Sequence, residues 1–189
     1  MTPEPHVSEV VDETTASEVV QWWSAAHRDW FSQDRDFDAR FRARFLHAHL
    51  CAAAGELDDW AGSAEGALAL LILLDQFPRN AFRGTARMYA ADRQARVVAR
   101  AAVDTGLDGE VDPALRLFFY LPFAHSEDPA DQRLSVMLNR RLGQPWLDHA
   151  LGHQAIVERF GRFPHRNILL GRSTTAAEQS FLDQGGFAG

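Results

Sequence analysis

The run Ala67–Leu74, "ALALLILL", is the most restrictive stretch of this chain. It has no polar face and no strand-like alternation, so a helix built from it must be covered on every side. It is far shorter than the ~20 residues a bilayer span needs. The cover must therefore come from the rest of the chain. Ser63 stands where an N-cap belongs, and Pro78 predicts the end of this helix, because proline disfavours helical backbone in the residue before it.

The flanking sequence supplies helices. Strand and hairpin patterns are nearly absent, whereas start and stop signals recur. Thr15 and Glu18 form a capping-box pattern ahead of Val19, Val20, Trp22 and Trp23. Asp36 is placed to cap a second helix, in which Phe37, Phe41 and Phe45 fall four apart on one face and Gly55 is the stop. Thr85 is placed to cap a long helix running toward Gly106. Asp112-Pro113 and Asp128-Pro129 each pair a capping acid with proline at the first helical position. The first of these helices is expected to break at Pro122 and the second to run toward Gly143. Another helix follows Pro145 and ends near Phe160. The last opens on Thr175 and Glu178 and stops at Gly185. The sum is about eight helices joined by short loops, which makes successive helices antiparallel neighbours.

With 189 residues and no linker or composition break, one domain is expected over residues 14–189, preceded by a loose arm over residues 1–13. The formal net charge of -7 argues against generic nucleic-acid binding, which needs a basic face. A single cysteine, Cys51, excludes an intrachain disulfide. The N-terminus lacks the basic-then-apolar pattern of a secretory signal. The expectation is a cytoplasmic protein with no membrane partner.

Positive charge is nevertheless concentrated locally. "RFGRFPHRNILLGRST", residues 159 to 174, has four arginines and no acid, and it is echoed by "LLDQFPRNAFRGTARMYAAD", residues 73 to 92. Each runs Phe-Pro, then Arg-Asn, then a glycine beside an arginine and a hydroxyl residue. Two readings stand side by side. In one, Pro stops a helix and the Asn and Arg side chains cap its carbonyls, with the arginines in structural ion pairs. In the other, helix starts and arginine forks form an anion site made of Arg79, Asn80, Arg83, His165, Arg166, Asn167 and Arg172. Its partner would be a small anionic molecule or a peptide carboxylate. A third segment, "FFYLPFAHSEDPADQ", puts His125 and Glu127 in a loop. With Asp75 they are the candidates for acid–base work if the site is catalytic.

Together "LLDQFPRNAFRGTA", "FFYLPFAHSEDPADQ" and "ERFGRFPHRNILLGRSTTAAEQSFL" resemble the bacterial domain of unknown function 924 family, with likeness from about Glu18 onward. The resemblance implies an all-α, tetratricopeptide-like α-α superhelical bundle and assigns no catalytic residues.

Other pairs carry less. His149 and His153 are four apart but lack a third ligand, and no structural metal or cofactor is expected. His47 and Cys51 are also four apart, and a small buried thiol is the commoner role for such a cysteine. Trp22, Trp23, Trp30 and Phe31 fit either a core or a ligand groove. No P-loop, dinucleotide fingerprint or C-x-x-C pair is present.

Overall fold

The computed structural model describes residues 14–187. The arm expected over residues 1–13 lies outside them. Every regular element among the described residues is helical, and they pack as one compact domain. The α segments are α1 (Ala16–Ala25), α2 (Arg35–Ala54), α3 (Ala64–Leu71), α4 (Phe77–Ala81), α5 (Asp92–Thr105), α6 (Leu117–Ala124), α7 (Pro129–Leu142), α8 (Trp146–Phe160) and α9 (Ala176–Asp183). The π turn Ile72–Gln76 joins α3 and α4 end to end, so nine segments make eight rods.

The expected central helix is central. Residues 67–74 are all buried, and the α1 and α2 aromatics lie in the core around them. Phe37, Phe41 and Phe45 share one buried face, and Trp22 stacks on Phe41 with centroids 4.9 Å apart. Trp23 is fully buried and meets Phe118 edge-on at 5.3 Å. Trp30 donates its indole N–H to the Trp23 carbonyl at 2.7 Å. These tryptophans therefore build the core and its margin; Phe31 remains exposed beside Trp146.

Both capping boxes form, at Thr15/Glu18 and Thr175/Glu178. Ser63 and Asp128 also cap as expected. Four expectations need correction. Asp34, not Asp36, caps α2, because its Oδ1 accepts from the N–H groups of Asp36 and Phe37. Thr85 makes no side-chain cap; a short 3-10 turn, Ala86–Tyr89, intervenes before α5 begins at Asp92. Asp112 caps a turn through the Ala114 N–H, and α6 starts only at Leu117 and continues through Pro122. The fourth concerns Pro78, which does not end its helix.

Candidate functional site

Pro78 lies inside the rod as the second residue of α4. It brings no N–H, and a regular α-turn would press its ring against the carbonyl four residues back. The chain widens instead: the Phe77 N–H reaches back five residues to the Ile72 carbonyl. Side chains then bond carbonyls in this stretch. His49 lies 2.9 Å through Nδ1 from the Leu73 carbonyl, Arg79 donates to that of Asp75 at 2.8 Å, and Asn80 to that of Gln76 at 3.0 Å. A carbonyl can only accept, so His49 carries its proton on Nδ1.

The π turn holds Asp75, whose side chain is 1% exposed, inside the molecule. Its Oδ1 lies 2.8 Å from His125 Nδ1 and 3.0 Å from Arg79 Nη1, and its Oδ2 accepts from Gln76 at 2.6 Å. Burial pushes this carboxyl up, but Arg79 and His125 outweigh it and hold it well below the usual range. Burial and then Arg79 push His125 below an ordinary imidazole, against the pull of Asp75. Arg79 continues to Asp92 at 2.9 Å, and Arg166 reaches the same carboxylate at 3.4 Å. Arg166 also donates to the His125 carbonyl at 2.9 Å and lies 4.5 Å over the Tyr89 ring.

Glu127 binds the other turn. It takes both arms of Arg172, at 2.7 and 3.0 Å, and accepts the Phe163 N–H at 2.8 Å. Burial raises Glu127, while Arg172 and the Phe163 N–H lower it further, so it is ionised at neutral pH.

The expected residues thus separate into groups. Asp75, Arg79, His125 and Arg166 come together, with Glu127 and Arg172 tying in the turn that carries Arg166. Arg83 and Asn80 do not join them. Arg83 forks onto Asp38 of α2 at 2.8 and 3.1 Å and donates to Asn80 at 2.9 Å. Asn167 is fully buried, 3.4 Å from the Thr174 hydroxyl. His165 packs between Phe163 and Phe187, and burial and then Arg166 push it down to about 4. The helix starts expected to offer free N–H groups do not: the Glu178 N–H donates to the Thr175 hydroxyl within its own box, and Thr85 opens no α-helix.

The sequence reading missed Asp92, Gln76 and Tyr89. One signal was available for Asp92: the acid-free stretch 76–91 is bracketed by Asp75 and Asp92, the two partners of Arg79.

The family described as a bacterial protein of unknown function (DUF924) matches residues 19–186. The chain belongs to the DUF924 family. A solved structure of a protein of unknown function from Agrobacterium tumefaciens is 53% identical to this DUF924 chain. It aligns over 90% of this chain and 97% of its own, with a TM-score of 0.88. No curated protein matches the sequence.

The remaining pairs in this DUF924 chain have structural surroundings. Cys51 Sγ lies 3.7 Å from His47 Nε2, but Glu56 and then burial push the thiol up, away from a reactive thiolate. His153 packs edge-on against Phe163 and Phe187, and burial carries it down to about 3, whereas His149 lies against Trp146. No group of three or more His, Cys, Asp or Glu side chains among the described residues could hold a metal. No described helix is long and apolar enough to cross a membrane.

Proposed function

We propose that this DUF924 protein binds a small anion where the Arg79, His125 and Arg166–Arg172 turns meet. One observation carries the reading. Arg79 Nη2, Arg166 Nε and Arg172 Nε are shielded from solvent and have no acceptor among the described residues. A buried donor without a partner costs roughly 1–3 kcal/mol, more when charged. Guanidinium donors suit a phosphate or carboxylate oxygen better than any neutral acceptor. The carboxylates already present fix the arginines in place, so little side-chain entropy is left to lose on binding. A tetratricopeptide-like peptide groove fits less well, because the Arg166 side chain is buried and that of Arg79 mostly covered, 8% and 15% exposed.

Thermal denaturation tests the reading. Phosphate or sulfate at a hundred times its dissociation constant adds about 2.7 kcal/mol by mass action. At about 2–4 °C per kcal/mol for a chain of this length, the melting temperature rises by roughly 5–10 °C over a chloride control of matched ionic strength. Arg166→Ala should lose this increment as well as baseline stability. If wild type responds no more than Arg166→Ala across the anion panel, the arginines are structural pairs only.

A further inference from the structure

The His125 ring is held at one end and open at the other. Asp75 is ionised and can only accept, so the 2.8 Å contact places the proton on Nδ1 and leaves a lone pair on Nε2. Nε2 makes no hydrogen bond to any described residue, and the side chain keeps 18% of its surface exposed. The backbone is fixed too, since Arg166 holds the His125 carbonyl at 2.9 Å. A buried carboxylate orienting an imidazole whose far nitrogen is free is the arrangement of a general base. The neighbouring hydroxyl is not a nucleophile for it. Ser126 is 2% exposed, accepts the Asp128 N–H and donates to Asp131 at 2.8 Å. Water is then the species left to activate.

We propose that His125, positioned by Asp75, acts through Nε2 as general base in the hydrolysis of a small phosphodiester; the substrate class rests on the anion reading above. Two considerations select a diester. The three acids of the network (Asp75, Asp92, Glu127) balance its three arginines in formal charge, so a monoanion is accommodated at less cost than a dianion. A phosphomonoester also passes through a loose transition state with little bond formation to the nucleophile, where a base helps least. In the proposed step the water oxygen bonds to phosphorus as its proton moves to Nε2. The bond from phosphorus to the leaving oxygen breaks, and that oxygen takes the proton from Nε2. The products are a phosphomonoester and an alcohol, and His125 returns to its neutral form.

The probe is bis(4-nitrophenyl) phosphate, followed by release of 4-nitrophenolate, with 4-nitrophenyl phosphate as the monoester control. Wild type is expected to cleave the diester in preference to the monoester, and His125→Gln to lose about 10²–10⁴-fold, the usual contribution of a general base. Turnover that survives His125→Gln overturns the proposal, and preference for the monoester overturns its substrate class. If the diester raises the melting temperature but is not cleaved, the base is wrong and the anion site stands. If it does neither while phosphate still stabilises the protein, the diester class falls and the anion site stands; if phosphate also fails, both fall. A substrate-free measurement guards against variants that fold poorly. Nitrogen NMR of wild type should find His125 as the Nδ1–H tautomer, with Asp75→Asn losing that preference. An Nε2–H tautomer in wild type sinks the assignment.

Discussion

Lowering the pH from 7 toward 4.5 should unfold this protein before its carboxylates have titrated. The cause is a set of histidines, His49 buried and His125, His153 and His165 half-buried, held as neutral rings. Burial holds His153 down to about 3 and His165 down to about 4, from an ordinary 6.5, and it also lowers His49 and His125. Each group's folded value is depressed, so its stabilising effect is complete above the unfolded value of 6.5. It is lost as pH falls, because the unfolded chain takes up protons that the folded chain refuses. Each such ring costs about 1.4 kcal/mol per pH unit across that window. For His153 and His165 together, two pH units remove roughly 5 kcal/mol. A domain's whole stability is about 5–15 kcal/mol, so this loss takes from about a third to all of it. The depressed carboxyls act later: Asp75 and Glu178 surrender their contribution only between the ordinary carboxyl range and about 2. Far-UV circular dichroism across pH 7 to 3 separates the two. Loss of helix centred between 6 and 4.5, shallower in His153→Gln, is expected. A signal flat down to pH 4 would mean these rings titrate freely.

Asp92→Ala should be among the most damaging single changes at neutral pH. Its carboxylate lies between Arg79 at 2.9 Å and Arg166 at 3.4 Å and is 11% exposed. Removing it leaves the buried Arg166 guanidinium with no carboxylate partner and Arg79 with Asp75 alone. Breaking a buried pair in this way costs roughly 3–5 kcal/mol, or about 6–20 °C in melting temperature at 2–4 °C per kcal/mol. Arg44→Ala is the control. It removes an ion pair with Glu18 whose side chains are 39% and 42% exposed, so solvent screens it and little stability is lost. Near-equal losses in the two variants would show that Asp92 holds nothing together.

What was legible in the sequence was what local chemistry decides. The Thr15/Glu18 and Thr175/Glu178 boxes need only four residues each, and both formed. The Phe37–Phe41–Phe45 face follows from helical period alone. Pro78 was misjudged because the groups that support the rod through it, such as His49 on the Leu73 carbonyl, arrive from another helix. Thr85 failed as a cap because the chain spends Ala86–Tyr89 on a 3-10 turn before α5. At the candidate site, residue types were readable and pairing was not. Nothing near Arg83 announces Asp38, and nothing near His125 announces Asp75, fifty residues away. The arginines were recognised as a set, yet Arg83 belongs to a different corner of the molecule.

The π turn has a consequence for how this site is encoded. An α-helix advances about 100° per residue, so one extra residue in a turn rotates all that follows by that angle. The turn Ile72–Gln76 makes that correction between the buried rod and the arginine-bearing segment after it. Deleting Ile72, Leu73 or Leu74 would remove almost no chemistry. It would give the helix a regular hydrogen-bond ladder up to Pro78 while turning Asp75 and Arg79 together out of phase with the buried run before them. The arrangement is therefore stored partly as a count of residues, a form of information that substitutions leave intact and a single codon deletion erases.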